Sequence, residues 1–82
     1  MKNKNYLYDT KIVFEGGLPT GIITNRKTDQ YGCVIHKSDL NDIRNWTQFE
    51  DSDFYFDLKW MPKYIIKEVI EQLKPYFDNN VL

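Results

Sequence analysis

Cys33 and His36 are the single cysteine and the single histidine of the chain, and nucleophilic catalysis often combines these two residue types. In such a pair the imidazole takes the proton of the thiol. The two residues are three positions apart in a segment with strand character, where an odd separation sends side chains to opposite faces. The spacing therefore favours a buried small thiol and a histidine at a strand edge. We predict no catalytic residue; a small enzyme of unknown reaction is the least supported alternative.

Carboxylates are concentrated after position 49. Four of them fall within eight residues: Glu50, Asp51, Asp53 and Asp57. The run Asp51-Ser52-Asp53 resembles the start of an EF-hand calcium loop, which needs glycine at its sixth position and glutamate at its twelfth. Counted from Asp51, those positions hold Phe56 and Pro62. We therefore predict no metal and no cofactor, with a bare magnesium site as the alternative.

Charge is distributed unevenly along the chain. Residues 1–37 carry six Lys/Arg against three Asp/Glu, residues 38–58 carry one against six, and residues 59–82 carry four against three. The three segments therefore have net charges of +3, −5 and +1. An acidic surface flanked by aromatic side chains suits contact with a basic protein surface, and a solvated face is the alternative. The predicted partner-binding residues are Asp39, Asp42, Phe49, Glu50, Asp51, Asp53 and Tyr55.

This pattern predicts a non-enzymatic protein-binding module that modulates or inhibits its partner by occupying a surface. Tyr55 and Phe49 are the predicted apolar anchors among the acidic residues. Lysine outnumbers arginine nine to two, a bias associated with AT-rich coding sequence and with small accessory proteins of bacteriophages and mobile elements. The partner would then be a host protein with a basic surface, and a homodimer is a further option.

An alternative interpretation rests on two short segments joined by a polar loop. Thr20–Thr24 and Tyr31–Ile35 resemble the first hairpin of cold-shock and related OB-type domains, over about sixteen residues. Thr24-Asn25 stands where that family has Trp-Phe, and Cys33 replaces its second aromatic residue. The resemblance implies binding of single-stranded nucleic acid, with aromatic rings stacked on bases and basic side chains on phosphates. The candidate contacts are Tyr31, Arg26 and Lys27, to which we add Lys37.

Composition favours one folded intracellular domain spanning residues 1–82. The chain is 41% hydrophobic and has a net charge of −1, whereas disordered chains combine low hydrophobicity with high net charge. A single cysteine excludes an internal disulfide and favours a reducing, cytoplasmic compartment. No signal-peptide-like segment or run of about 20 apolar residues is present, so we predict no membrane partner.

The elements that must position these residues follow from periodicity. Alternation predicts strands at Tyr6–Glu15 and Phe54–Trp60, and a turn at 16–21 leads into a hairpin over Gly21–His36. A short helix is expected from Ser38 or Asp39 to about Trp46. We expect frayed termini at 1–5 and 78–82.

The last predicted element is an amphipathic helix from Pro62 to Lys74, ended by Pro75. Its apolar positions recur at intervals of three and four residues: Ile65, Ile66, Val69, Ile70, Leu73 and Phe77. The resulting order is β-β-β-α-β-α. This order predicts an α+β fold in which the C-terminal helix covers an antiparallel sheet of about four strands.

Overall fold

The computed structural model describes residues 7–57 and 59–77. The expected frayed termini, the predicted strand start at Tyr6 and strand position Leu58 lie outside these residues. The elements are β1 (Tyr8–Glu15), β2 (Leu18–Asn25), β3 (Tyr31–His36), β4 (Thr47–Gln48), β5 (Phe54–Phe56) and α1 (Lys63–Leu73). The α+β class is confirmed, with five strands instead of four.

The strands form one antiparallel sheet in the order β1-β2-β3-β5-β4. A two-residue turn joins β1 to β2, and both of its residues, Gly16 (φ 59°) and Gly17 (φ 86°), have the positive φ that a type I′ hairpin requires. The predicted turn over 16–21 was too long, because β2 already begins at Leu18. Pro19 is tolerated inside β2, since pairing with β3 starts only at Gly21 and its missing N–H removes no ladder bond.

The short helix predicted from Ser38 or Asp39 to Trp46 is wrong. The segment forms two single 3-10 turns, Lys37–Asp39 and Ile43–Asn45, and then enters β4. Local side-chain bonds compete with a helix here: the His36 ring accepts the Ser38 N–H at 3.1 Å, and the Asp42 carboxylate accepts the Arg44 N–H at 3.1 Å.

The predicted strand Phe54–Trp60 is shortened to Phe54–Phe56. The Cys33 N–H of β3 donates at 2.9 Å to the side-chain oxygen Oδ1 of Asp57, in the place where the ladder would use a backbone carbonyl. The chain then turns back towards the helix side of the sheet, where the Trp60 ring stacks on Tyr8 with centroids 6.3 Å apart. The alternation of residues in the sequence could not reveal that the Asp57 carboxylate takes the place of a backbone carbonyl.

Helix α1 packs on one face of the sheet, and its predicted apolar positions at Ile65, Ile66, Val69, Ile70 and Leu73 are all buried. Its end before Pro75 is confirmed, and a 3-10 turn, Lys74–Tyr76, follows. Within the described residues no helix has the length and apolarity needed to cross a membrane.

The packing of α1 assigns the two faces of the sheet. Gly21 lies directly beneath Val69, so Gly21 is on the helix side. Residues paired across strands share a face, and successive residues alternate between faces. The helix side therefore includes Ile23, Val34, His36, Phe54 and Phe56, and the opposite, helix-free face includes Tyr31, Cys33, Ile35 and Tyr55.

Candidate functional site

The acidic loop, residues 50–53, is the turn of the β4–β5 hairpin. Phe49 N–H donates to the Phe54 carbonyl at 2.9 Å, and Ser52 N–H donates to the Phe49 carbonyl at 3.0 Å. The Ser52 hydroxyl donates to the Phe49 carbonyl at 2.6 Å and accepts the Phe54 N–H at 3.1 Å. Side-chain and backbone bonds thus define the loop at both ends.

Glu50 occupies a strained position within this loop. Its φ is 50°, in the left-handed region that costs a non-glycine residue roughly 1–2 kcal/mol. Backbone strain of this kind persists where the surrounding structure imposes it and is frequent at functional sites. The carboxylates of the acidic loop are therefore presented by a fixed turn.

A cleft of about 440 Å³ separates the acidic loop from the C-terminal half of α1. The loop contributes Glu50, Asp51 and Asp53 to one wall. The other wall, from α1 and the turn after it, includes Lys67, Ile70, Glu71 and Lys74. Three of the predicted partner-binding carboxylates therefore line one concave surface.

Aromatic rings form the base of the cleft. His36 and Phe77 stack with centroids 4.1 Å apart and an interplanar angle of 9°, and Phe54 meets His36 edge-on at 5.1 Å. Nδ1 of His36 lies 3.1 Å from the backbone nitrogen of Ser38 and 2.8 Å from its hydroxyl oxygen, so the 3-10 turn after β3 orients the ring. We did not predict from the sequence that His36 and Phe77 lie together. The four-residue spacing from Leu73 to Phe77 indicated that Phe77 continues the apolar face of the helix. Only the packing of the helix on the sheet shows that the Phe77 ring contacts His36.

Cys33 and His36 lie on opposite faces of β3, as the odd spacing predicted. Cys33 pairs with Ile22 on the helix-free face, and His36 pairs with Phe54 on the helix side. The imidazole therefore has no direct path to the thiol. The cleft contains the histidine without the cysteine.

Of the remaining predicted partner-binding residues, Asp39, Asp42 and Tyr55 lie away from the cleft, whereas Phe49 lines it. Asp39 and Asp42 are not part of the cleft, and Arg44 holds Asp42 through two side-chain hydrogen bonds of 3.0 and 2.9 Å. These bonds lower the pKa of Asp42. Phe49 is only 6% exposed and belongs to the core, so it offers little surface as an anchor. Tyr55 is half-buried on the helix-free face, away from the cleft.

The candidate nucleic-acid contacts do not form one cluster. Tyr31 is 61% exposed, but Lys37 follows the other end of β3, about 20 Å along the strand. Arg26 forms an ion pair with Asp9 at 2.7 Å, and their hydrogen bond raises the pKa of Arg26 and lowers that of Asp9. Lys37 pairs with Asp53 of the acidic loop at 3.4 Å. The β2–β3 hairpin forms as predicted, within an open sheet whose described edges are β1 and β4.

Among the described residues, no group of three or more His, Cys, Asp or Glu side chains is placed to hold a metal ion. The functional groups that line the cleft include carboxylates, amines and stacked rings. No protein-family model matches the chain, and no curated protein or solved structure matches it either.

Proposed function

We propose that this protein is a non-enzymatic binding module whose cleft receives a basic segment of a partner protein. The observation that carries the proposal is the convergence of Glu50, Asp51 and Asp53 on one cleft floored by the His36–Phe77 stack. In this proposal the module modulates its partner by occupying a surface, without covalent chemistry.

The charges of the cleft favour a cationic partner. Its lining carries four carboxylates, Glu50, Asp51, Asp53 and Glu71, against two amines, Lys67 and Lys74. Lys74 already pairs with Glu71 at 3.4 Å. Within the described residues, no ion pair engages Glu50 or Asp51, so both carboxylates can accept hydrogen bonds from a lysine or arginine of the partner.

Charge alone gives little affinity, because exposed ion pairs contribute only about 0–1 kcal/mol each. The stacked His36 and Phe77 rings add an apolar surface to which a partner side chain can bind. The aliphatic stem of a bound lysine or arginine would lie against Phe77, and its charged end would reach the acidic loop. We therefore expect a partner segment that combines basic and apolar residues.

The test uses fluorescent nine-residue peptides, one rich in lysine, arginine and leucine and one with glutamate in place of each basic residue. We expect only the basic peptide to bind, with salt-sensitive affinity and with amide chemical-shift changes at residues 50–53 and 67–77. The variant Glu50→Gln/Asp51→Asn/Asp53→Asn should bind roughly tenfold more weakly, because the acidic loop then carries no carboxylate that can contact the basic residues of the peptide.

A matched control changes the net charge equally outside the cleft, through Asp29→Asn/Asp42→Asn/Glu68→Gln. This control should keep most of the wild-type affinity. Equal weakening by both triple variants would show that global charge, not the cleft, controls binding. Binding of the acidic peptide as tightly as the basic one would overturn the proposal.

Single-stranded nucleic-acid binding is the second candidate, favoured by the 61% exposure of Tyr31 on the helix-free face. A stacked base needs such an exposed ring, and Lys27 is an exposed cation in the adjoining loop. Fluorescence anisotropy with mixed-sequence oligonucleotides at low salt tests this function, and Tyr31→Ala should weaken any binding. No change in anisotropy at low salt would eliminate it.

A further inference from the structure

Among the described strands, β1 forms one edge of the sheet along eight residues, whereas β4 forms the opposite edge with two. One hydrogen bond shows which residues of β1 bond to β2: the Leu7 carbonyl, just before β1, accepts the N–H of Arg26, just after β2, at 2.9 Å. Antiparallel strands alternate between residues bonded to the neighbour and residues directed away from it. Odd-numbered residues of β1 therefore bond to β2. Tyr8, Thr10, Ile12 and Phe14 direct their backbone groups outwards.

Exposed apolar side chains are concentrated beside this edge. Six large hydrophobic side chains are exposed among the described residues. Of these, Phe14 is on β1, Leu7 immediately precedes the strand, and Tyr76 contacts Phe14. Leu7 is 42% exposed, Phe14 55% and Tyr76 48%, and the Phe14 and Tyr76 rings meet edge-on at 5.2 Å. A long strand edge flanked by apolar side chains is a template for pairing with another strand.

We propose that a second copy of this chain occupies the β1 edge, so that two β1 strands pair antiparallel across a two-fold axis. Thr10 lies opposite Thr10 of the second copy at the axis. Tyr8 then lies opposite Ile12 of the second copy, and all of these outward-directed residues exchange backbone hydrogen bonds. The two sheets join into one continuous sheet.

Charge complementarity selects this register. It places Asp9 of each copy opposite Lys11 of the other, twice by symmetry, and both side chains are exposed in the single chain. A slip of two residues in one direction would place Lys11 against Lys11, and a slip in the other direction would place Asp9 against Asp9. A slip of one residue would present the wrong backbone groups. Leu7 also lies against Val13 of the second copy on the helix-free face.

This pairing is independent of the proposed function, because β1 is at the opposite edge of the sheet from the acidic loop. Asp9 also keeps its contact with Arg26, so the pairing adds Lys11 of the second copy to an existing ion pair. The dimer leaves both clefts open.

Sedimentation equilibrium over a concentration series tests the proposal with two single variants. Asp9→Lys places lysine against Lys11 at both contacts, and Lys11→Asp places aspartate against Asp9. Each variant alone should self-associate roughly tenfold or more weakly than the wild type, because opposed like charges replace opposed unlike charges. An equimolar mixture of the two variants restores both contacts and should form a heterodimer.

Amide hydrogen exchange provides a residue-level measurement. The Thr10 and Ile12 amides should become protected as wild-type concentration rises, whereas the Lys11 and Val13 amides, bonded to β2, stay protected throughout. A wild type that remains monomeric at millimolar concentration would overturn the proposal. Charge variants that dimerise as tightly as the wild type, or a mixture that forms no heterodimer, would overturn it equally.

Discussion

Gly21→Ala tests a close approach of the helix to the sheet. Gly21 is in the middle of β2, beneath α1, and a Cβ built there overlaps Cγ1 of Val69. The same atom would lie 3.5 Å from Cδ1 of Leu73 and 3.6 Å from Cβ of Val34. These three neighbours are 0% exposed, so none of them can move into solvent. The added methyl group must push the helix away from the strand.

The expected cost follows from two opposing effects. Overpacking of a tight core destabilises by about 1–3 kcal/mol. Replacing glycine also restricts the unfolded chain, which stabilises the folded state by about 0.4–1 kcal/mol. We therefore expect Gly21→Ala to lower the free energy of unfolding by about 1–2 kcal/mol.

Urea denaturation of a double-mutant cycle measures this effect. Val69→Ala removes the overlapping methyl group but leaves a cavity, at a cost of about 2 kcal/mol on its own. The double variant Gly21→Ala/Val69→Ala should lose about 1 kcal/mol less than the sum of the single losses, because the alanine at 21 fills part of the cavity. Strictly additive losses, or a neutral Gly21→Ala, would refute the close-packing argument.

The remaining predictions concern strain, an unpaired buried group and an exposed ion pair. Glu50→Gly should raise the thermal midpoint, since it relieves about 1 kcal/mol of left-handed strain, and should still weaken basic-peptide binding; a lower midpoint would contradict this. Trp60→Phe should change stability in urea by less than about 1 kcal/mol, because Nε1 is buried with no hydrogen-bond partner among the described residues; a larger loss would reveal a partner for it. Arg26→Gln should raise the pKa of Asp9 towards its usual value, measured by carboxyl NMR titration. Since that pKa is lowered in the folded state, the ion pair stabilises the folded wild type at pH values above the usual pKa of aspartate. This stabilisation is lost as the pH falls through the lowered pKa. An unchanged Asp9 titration in Arg26→Gln would exclude the ion pair in solution.

The elements that sequence predicted well are those in which local pattern and packing agree. The apolar positions of α1 are spaced three or four residues apart, and Pro62 and Pro75 flank the segment at its two ends. The signals that predict this helix therefore lie within and directly beside it, and the helix forms between the two prolines. The missed elements depend on distant partners. The two-residue strand β4 has no periodicity of its own, and it exists because Thr47 and Gln48 pair with β5.

The candidate site was predictable only in part for the same reason. The density of acidic residues located the loop at 50–53, and its turn keeps the charges together in space. Counting charges could not show that Arg44 engages Asp42, or that Phe49 is buried while Tyr31 is exposed. Lys67 and Lys74 reach the cleft because α1 crosses the sheet, which no local pattern specifies.

The 3-10 turn after α1 connects the two proposed surfaces. Tyr76 and Phe77 are adjacent in the chain, yet Tyr76 contacts Phe14 at the β1 edge and Phe77 stacks on His36 in the cleft. A 3-10 turn rotates successive side chains by about 120°, so neighbouring residues point to different parts of the sheet. Pro75 belongs to this turn, and the Phe77 N–H closes it on the Lys74 carbonyl at 2.9 Å. The apolar contacts at both surfaces therefore depend on where the regular helix ends, which gives the position of Pro75 a role beyond terminating α1.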